Sequence, residues 1–306
     1  MTTLGAVVAR VVALALLGVL RISKRRAGLV LVYHGLADVQ GDPATELVPP
    51  HSASRFEGHL RHLAARYRLV GLEELPRAVE GRSRGEPFPV AVTFDDDLAS
   101  HVEVAAPILR RTGARATFFL CGASLAEAHA FWWQRLQVAN SEQAALPVEG
   151  RTLHEVARRI EAMTPAERAE VDSQLGAHDV EPGLRSEQVR RLAESGFDIG
   201  FHTFRHHVLT ALDDSSLQHA LEEGRRALED ATGRTIDTIA YPHGKADERV
   251  ARAAAAHGFR LGVTGRYEPV VPGSDPMLLG RIEPTHGSDD RFALQVARAL
   301  LGRPHA

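Results

Sequence analysis

The sequence predicts an α/β protein whose strands form a parallel sheet or barrel. Three observations predict it. After residue 27, short apolar runs rich in Val, Ile, Leu and Phe alternate with helical patterns. The runs are apolar on both faces, as strands covered on both sides must be. Several helical patterns stop at a glycine, among them Gly113, Gly196, Gly233 and Gly258. A glycine just past the last turn is the common helix terminator. Alternating strand and helix gives βαβ units, and in such folds the chemistry sits at the C-terminal ends of the strands.

The elements can be taken in chain order. Residues 1–27 stand apart from residues 28–306. Leu4 to Leu20 is mostly Ala, Val and Leu, interrupted by Arg10 and followed by Arg21, Lys24, Arg25 and Arg26. This is shorter than the roughly 20 apolar residues of a spanning helix. Its charge follows the apolar run, whereas a signal peptide carries charge ahead of it. A membrane anchor or interfacial helix over residues 4–20, an atypical export signal and a packed helix are the three readings. Each of the first two makes the protein membrane-associated or exported. As an anchor, the basic cluster would favour a main domain on the cytoplasmic face.

Strands are predicted at Leu29–Tyr33, Arg68–Val70, Val90–Phe94, Ala116–Leu120, Asp198–Phe201, Thr238–Tyr241, Leu261–Thr264 and Leu278–Ile282. Helices are predicted at Phe56–Tyr67, Val104–Arg111, Glu187–Ser195, Ser215–Thr232 and Glu248–His257. From about residue 122 to 184 the rhythm breaks. This stretch holds Phe131-Trp132-Trp133, helical patterns at His154–Ala162 and Pro165–Leu175, and a loop at Pro182-Gly183. It reads as a helical insertion. Its aromatics either line a sugar groove or dock the insertion on the barrel, and docking is favoured because aromatics dominate core packing.

The formal net charge of −3 gives no basis for a nucleic-acid partner. The single cysteine, Cys121, excludes an intrachain disulfide and reads as a core thiol.

Three motifs follow strands. Asp95, Asp96 and Asp97 stand directly after Val92-Thr93-Phe94. Three like charges at one strand end are unfavourable unless a cation or hydrogen bonds offset them. A metal ligand plus a general base would use two of them; the bland alternative is a solvated turn with Asp97 capping the next helix. His202 and His206 follow the next motif's strand, at a spacing that shares one helix face or converges in a loop. Imidazoles with a carboxylate suit zinc and related divalent ions, although a chain with 16 histidines can contain the spacing by chance. Tyr241-Pro242-His243-Gly244 can aim a backbone N–H at a developing oxyanion, or can be an ordinary Pro-Gly turn.

Taken together and in order, these motifs resemble those of the polysaccharide deacetylases of the NodB-homology, carbohydrate esterase family 4 type. Thr93–Asp97 is similar to the family's TFDDG, with Asp97 for Gly. His202–His206 is similar to its H-[ST]-x-x-H, with His207 where Pro is usual. Tyr241–Gly244 is similar to its YPYG variant, with His243 for the second Tyr. Tyr33-His34-Gly35 is similar to the YHG that opens these domains. The resemblance runs from about Val30 to Ile282 and implies a distorted (β/α)7 barrel. It implies a hydrolase that uses a divalent metal, Zn2+ first, to remove N-acetyl groups from a polysaccharide or glycan. Carried over, Asp95 is the general base, Asp96, His202 and His206 hold the metal, and the His243 N–H stabilises the oxyanion. Tyr241 and Arg281 are expected at the substrate, Arg281 also contacting Asp95; the alternative pairs Arg281 with Glu283.

Beyond these substitutions, three features of the family are missing. The late Leu-x-His that supplies the general acid is absent, and His286 is the substitute considered. Ile239-Ala240 stands where an arginine is usual, and the fourth motif's tryptophan has no match. A positive φ at the family's glycine would fall on Asp97. Competing functions are a deformylase or O-deacetylase acting on a lipid-linked sugar, and a catalytically silent glycan-binding domain at a membrane.

Overall fold

Strand β5 (Pro89–Asp95) is buried along its whole length and forms the centre of the sheet. In the computed structural model, which describes residues 3–125, 130–142, 146–176 and 183–302, it pairs in parallel with β1 (Leu29–Tyr33) along one edge. Along the other edge, β4 (Arg68–Leu69) flanks its first residues and β6 (Thr117–Leu120) its last. β7 (Asp198–Phe201), β8 (Thr238–Ala240) and β9 (Leu261–Val263) follow in order, all parallel. A separate parallel pair, β2 (Leu36–Ala37) and β3 (His51–Ser52), carries no apolar run and was not legible in the sequence.

The predicted run Leu278–Ile282 is not a continuous strand. Leu279 bridges to Val263 of β9 and Ile282 to Leu31 of β1. The segment thereby joins the two ends of the sheet, and the sheet curls into the expected distorted (β/α) barrel.

Strand alternation sets the barrel's contents. Val30, Ala91, Phe119, Ala240, Val263 and Leu279 form one buried cluster, a single large ring among small side chains. Their neighbours Leu29, Leu31, Val90, Val92, Phe118 and Leu120 belong to a second cluster under the helices. Because successive strand side chains point to opposite faces, Thr93 and Asp95 share the face of Ala91. The base of the barrel meets α3 (Leu75–Glu80), whose Leu75 and Val79 crowd Gly28 just before β1.

Other helices follow the predictions with shifts at their ends: α2 (Ala53–Arg66), α4 (Ala106–Thr112), α8 (Ser186–Glu194) and α11 (Glu248–Ala256). The predicted Ser215–Thr232 helix is two helices, α9 (Asp214–Glu222) and α10 (Arg225–Thr232), parted at Gly224. The cause is tertiary. Gly224 has φ +83°, and a Cβ there would lie 2.6 Å from the Phe204 ring of the second motif. The insertion supplies α5 (Trp132–Ser141), α6 (Leu153–Glu161) and α7 (Pro165–Gln174). These surround a cluster of Phe131, Trp132, Trp133, Leu136, Val156 and Ile160, so the aromatics do dock the insertion. Pro182 of the predicted loop lies outside the described residues.

The N-terminal apolar segment forms α1 (Thr3–Arg21). Its Ala13, Leu17 and Leu20 are buried in the main core beside α12 (Asp289–Ala299). No helix among the described residues is long and apolar enough to cross a membrane.

Where α2, α12 and β1 meet, histidines replace the usual apolar contacts. His59 stacks on Phe292 at 3.8 Å, and its Nδ1 lies 3.0 Å from the Tyr33 hydroxyl. His51 sits beside His59 and stacks on His286 at 4.1 Å. Burial pushes His51 down to about 3 and His59 down to about 2. In the unfolded chain both would titrate near 6.5. Below about pH 6.5 the unfolded chain therefore binds more protons, and stability must fall as pH drops. Each site contributes about 1.4 kcal/mol per pH unit in that window, so the pair steepens acid unfolding by about 3 kcal/mol per unit. Urea midpoints between about pH 6.5 and 4 should show this slope. His59→Leu with Tyr33→Phe, which leaves no orphaned hydroxyl, should remove about half of it.

Candidate active site

The three motifs meet at the C-terminal rim of the barrel. Asp95 ends β5 and continues its inward-facing register. His202 directly follows β7, and its N–H continues the ladder to Leu120 O at 2.8 Å. Tyr241-Pro242-His243-Gly244 leaves β8. Among the described residues only four non-glycine residues have positive φ: Asp96 at 73°, Thr203 at 59°, His206 at 48° and His243 at 57°. All four lie in the motifs. Such conformations cost of order 1–3 kcal/mol each and persist where the surrounding structure enforces them. The positive φ falls on Asp96, not on Asp97 as the family pattern implied. His202 and His206 converge through a strained loop rather than along a helix face.

Asp96 Oδ1 lies 3.7 Å from His202 Nε2 and 3.6 Å from His206 Nε2. The two Nε2 atoms are 3.1 Å apart. All three residues are buried, and Asp96 Oδ1 has no hydrogen-bond partner. Burial lowers both imidazoles, His202 to about 4, so both are neutral near pH 7. His202 Nδ1 donates to Ala240 O at 2.8 Å, which leaves its Nε2 lone pair facing the cluster. Burial first, then the charges of Asp95 and Asp97, raise Asp96 to about 7, although His34 pulls the other way. An orphaned buried carboxylate oxygen beside two bare imidazole nitrogens fits a divalent ion. The mutual separations suit bonds of about 2.0–2.2 Å to a common centre, and a three-residue set leaves a position open.

Asp95 is held differently. Arg281 Nη1 and Nη2 grip its two oxygens at 2.6 and 2.7 Å. Burial alone would raise Asp95, but Arg281 and then His202 outweigh it and hold the carboxyl at about 2. Arg281 also donates from Nε to Thr264 O. Its guanidinium is thus committed to the protein, pairing with Asp95 and not with Glu283; it fixes the Asp95 carboxylate and has little left for substrate. Tyr241 also departs from expectation. It is fully buried and its hydroxyl donates to Met277 O at 2.9 Å, so its phenol packs the core and does not meet substrate. Asp97 caps no helix. Its Oδ1 accepts from Cys121 N at 2.7 Å and ties the β5 rim to the β6 rim.

His243 belongs to a turn whose own bonds run from Gly244 N to Tyr241 O and from Lys245 N to Pro242 O. Neither uses the His243 N–H. Gly244, at φ +64°, allows Gly265 to approach so closely that a Cβ would sit 2.5 Å from its Cα. The His243 ring packs 4.6 Å from that of His206, and its Nδ1 lies 3.5 Å from Glu161 of α6.

These groups open on a cleft of about 680 Å³, bordered also by His34, Trp132, Trp133, Arg158 and Lys245. A slightly larger cavity of about 730 Å³ lies behind the His206 loop, but Asp95, Asp96 and His202 are not on its wall. The chemistry therefore belongs to the first. His286 is not in that cleft. It lines an adjoining pocket and stacks on His51, so it does not face the carboxylates.

The family model described as polysaccharide deacetylase matches residues 82–262, more than half of the chain. The chain belongs to the polysaccharide deacetylase family. YxkH of Bacillus subtilis, named for the same family, is 21% identical over 236 residues, which is 77% of this chain and 63% of that protein. This chain thus spans less than two thirds of that relative. Among solved structures, the deacetylase PplD of Streptococcus pyogenes, in complex with acetate, superposes with a TM-score of 0.63 at 17% identity, covering 89% of this chain and 98% of that one. IcaB from Ammonifex degensii gives 0.59 at 20% identity, covering 90% and 98%. At these identities the likeness is one of fold.

Sequence reasoning passed over two residues of this site. His34 was noticed only as part of the opening motif, and Glu161 only as part of a charged helix. Proximity to β1's C-terminal end could have flagged the first; nothing local could have flagged the second.

Two outcomes follow from this geometry. Purified protein should take up about one divalent ion per chain, and Asp96→Ala or His206→Ala should take up none, as read by elemental analysis. Arg281→Met should lower unfolding free energy by about 3–5 kcal/mol, because it strands a buried carboxylate. Arg281→Met with Asp95→Asn should recover part of that loss in denaturant titrations.

Proposed function

We propose that this deacetylase removes N-acetyl groups from an amino sugar in a glycan, using a divalent ion, zinc first, held by Asp96, His202 and His206. One observation carries the reading: three bare ligand atoms converge in a cleft beside a carboxylate that is ionised and fixed by Arg281. An ion bound there lowers the pKa of a coordinated water toward about 7 and polarises an acyl oxygen.

The protein's own groups supply the rest. Asp95 Oδ2 lies 3.8 Å from His202 Nε2, at the border of the ligand set. It takes a proton from the attacking water while Arg281 keeps it aligned. The water oxygen bonds to the acyl carbon, and the His243 N–H donates to the acyl oxygen as charge gathers there. The C–N bond then breaks, and the departing amine takes a proton. We assign that proton to His34. It lies in the cleft, half-buried, with Asp95 and Asp96. The products are acetate and a free amino sugar. The acetate bound to PplD of Streptococcus pyogenes supports acetyl as the acyl group.

Deformylation or O-deacetylation of a lipid-linked sugar is the second reading, favoured by the apolar outer face of α1. Mass analysis of products from N-acetylated chito-oligosaccharides, O-acetylated oligosaccharides and lipid-linked amino sugars separates the readings. Acetate release from the first, with a new amine, is the expected result; release only from esters would sink the amide reading. Asp95→Asn should keep the ion and lose about 100- to 10,000-fold in kcat. His34→Gln should likewise keep the ion and lower kcat about 100-fold or more.

A further inference from the structure

We propose that the protein binds anionic membranes through the outer face of α1, with the helix lying in the plane of the lipid surface. The first observation is where its exposed apolar side chains are. Among the described residues eight large hydrophobic side chains are exposed, and six of them, Val7, Val8, Val11, Val12, Val19 and Ile22, lie on α1 or one residue past it. From Val8 onward they recur at helical spacing, with exposed Ala15 and Gly18 filling the gap, so they form one stripe along the helix.

The opposite face is also apolar. Ala13, Leu17 and Leu20 are buried in the core. A helix apolar on all sides is normally buried on all sides. Here protein covers only one. The docking is held at both ends: Arg10 faces Asp290 at 4.0 Å, and Arg25 Nε donates to Leu300 O. Turning α1 across a bilayer would strip that inner face from the core, and the helix is not long and apolar enough to cross. An in-plane arrangement satisfies both faces at once.

Charge identifies the lipid. Residues 3–26 carry five basic side chains, Arg10, Arg21, Lys24, Arg25 and Arg26, and no acidic one, in a chain whose net charge is −3. Lys24 and Arg26 are exposed at the end of the stripe and have no ion pair among the described residues. An apolar stripe ending in free cations complements an anionic lipid surface. The N-terminal half of α1 lies beside Asp290, at the start of the helix that follows Glu283 on the cleft wall. The C-terminal end of α1 meets Gly85 and Arg82 ahead of β5, so binding through α1 lays the α12 flank of the barrel along the lipid.

Flotation of the full chain tests this, using vesicles of phosphatidylcholine alone and vesicles that also contain phosphatidylglycerol. The chain should float with the second and not the first, and high salt should weaken the effect. Val8→Glu with Val12→Glu should reduce partitioning about tenfold or more while melting temperature and turnover of a soluble oligosaccharide stay as in the parent. Lys24→Glu with Arg26→Glu should reduce it on the anionic vesicles. The parent staying at the bottom of the gradient with anionic vesicles overturns the proposal, whatever the variants do. So does sedimentation showing a dimer that Val8→Glu with Val12→Glu dissociates, since the stripe would then cover a second copy.

Discussion

Three neighbouring carboxylates buried at the end of β5 are the constraint around which the rim of this barrel is organised. Asp95, Asp96 and Asp97 are each almost wholly shielded from water. An unpaired buried charge costs several kcal/mol, and three adjacent ones add mutual repulsion. The chain answers with three different devices. Asp95 is neutralised by Arg281, which arrives from the segment that closes the barrel. Asp97 Oδ1 accepts from the backbone N–H groups of Cys121 and Gly122 after β6, while its Oδ2 has no hydrogen-bond partner. Asp96 has no protein cation, and its free oxygen faces two imidazole nitrogens. Only the first device neutralises a full charge within the protein. Asp97 relies on backbone dipoles at one oxygen, and burial still raises it to about 6, whereas the free oxygen of Asp96 is the one that faces two imidazole nitrogens.

The same rim carries the chain's backbone strain. Asp96, Thr203, His206 and His243 are held at positive φ. Strand pairing pins Asp95, Phe201 and Ala240 shortly before these turns, so the loops must turn sharply to bring side chains from three strands to one point. The insertion then closes one side. Trp133 lies 4.6 Å from the His206 ring, and Glu161 meets His243 and Lys245 from α6. Docking the insertion and walling the cleft are therefore done by the same aromatic residues. Their burial supplies the apolar area that holds three short helices in place.

By itself, the sequence determined the α/β class, most strand positions and the placement of Asp96, His202 and His206 at strand ends; that the three share one site was what the family resemblance implied. Those features are carried by local patterns: apolar runs, terminating glycines and motifs at strand ends. Leu29–Tyr33 was legible to the residue because it is a short apolar run of strand formers, and Asp198–Phe201 because it lies between the helix-ending Gly196 and the histidine motif. What only the tertiary structure decided is who meets whom across sequence distance. The break at Gly224 depends on Phe204, the burial of Tyr241 on Met277, the commitment of Arg281 on Asp95, and the removal of His286 from the cleft on His51. The two faces of α1 read alike in sequence, and only packing against α12 showed which one is covered. The physical reason is the same in each case: local patterning is set by backbone sterics and hydrophobic periodicity, whereas a side chain's partner is fixed by long-range packing that no short window of sequence contains.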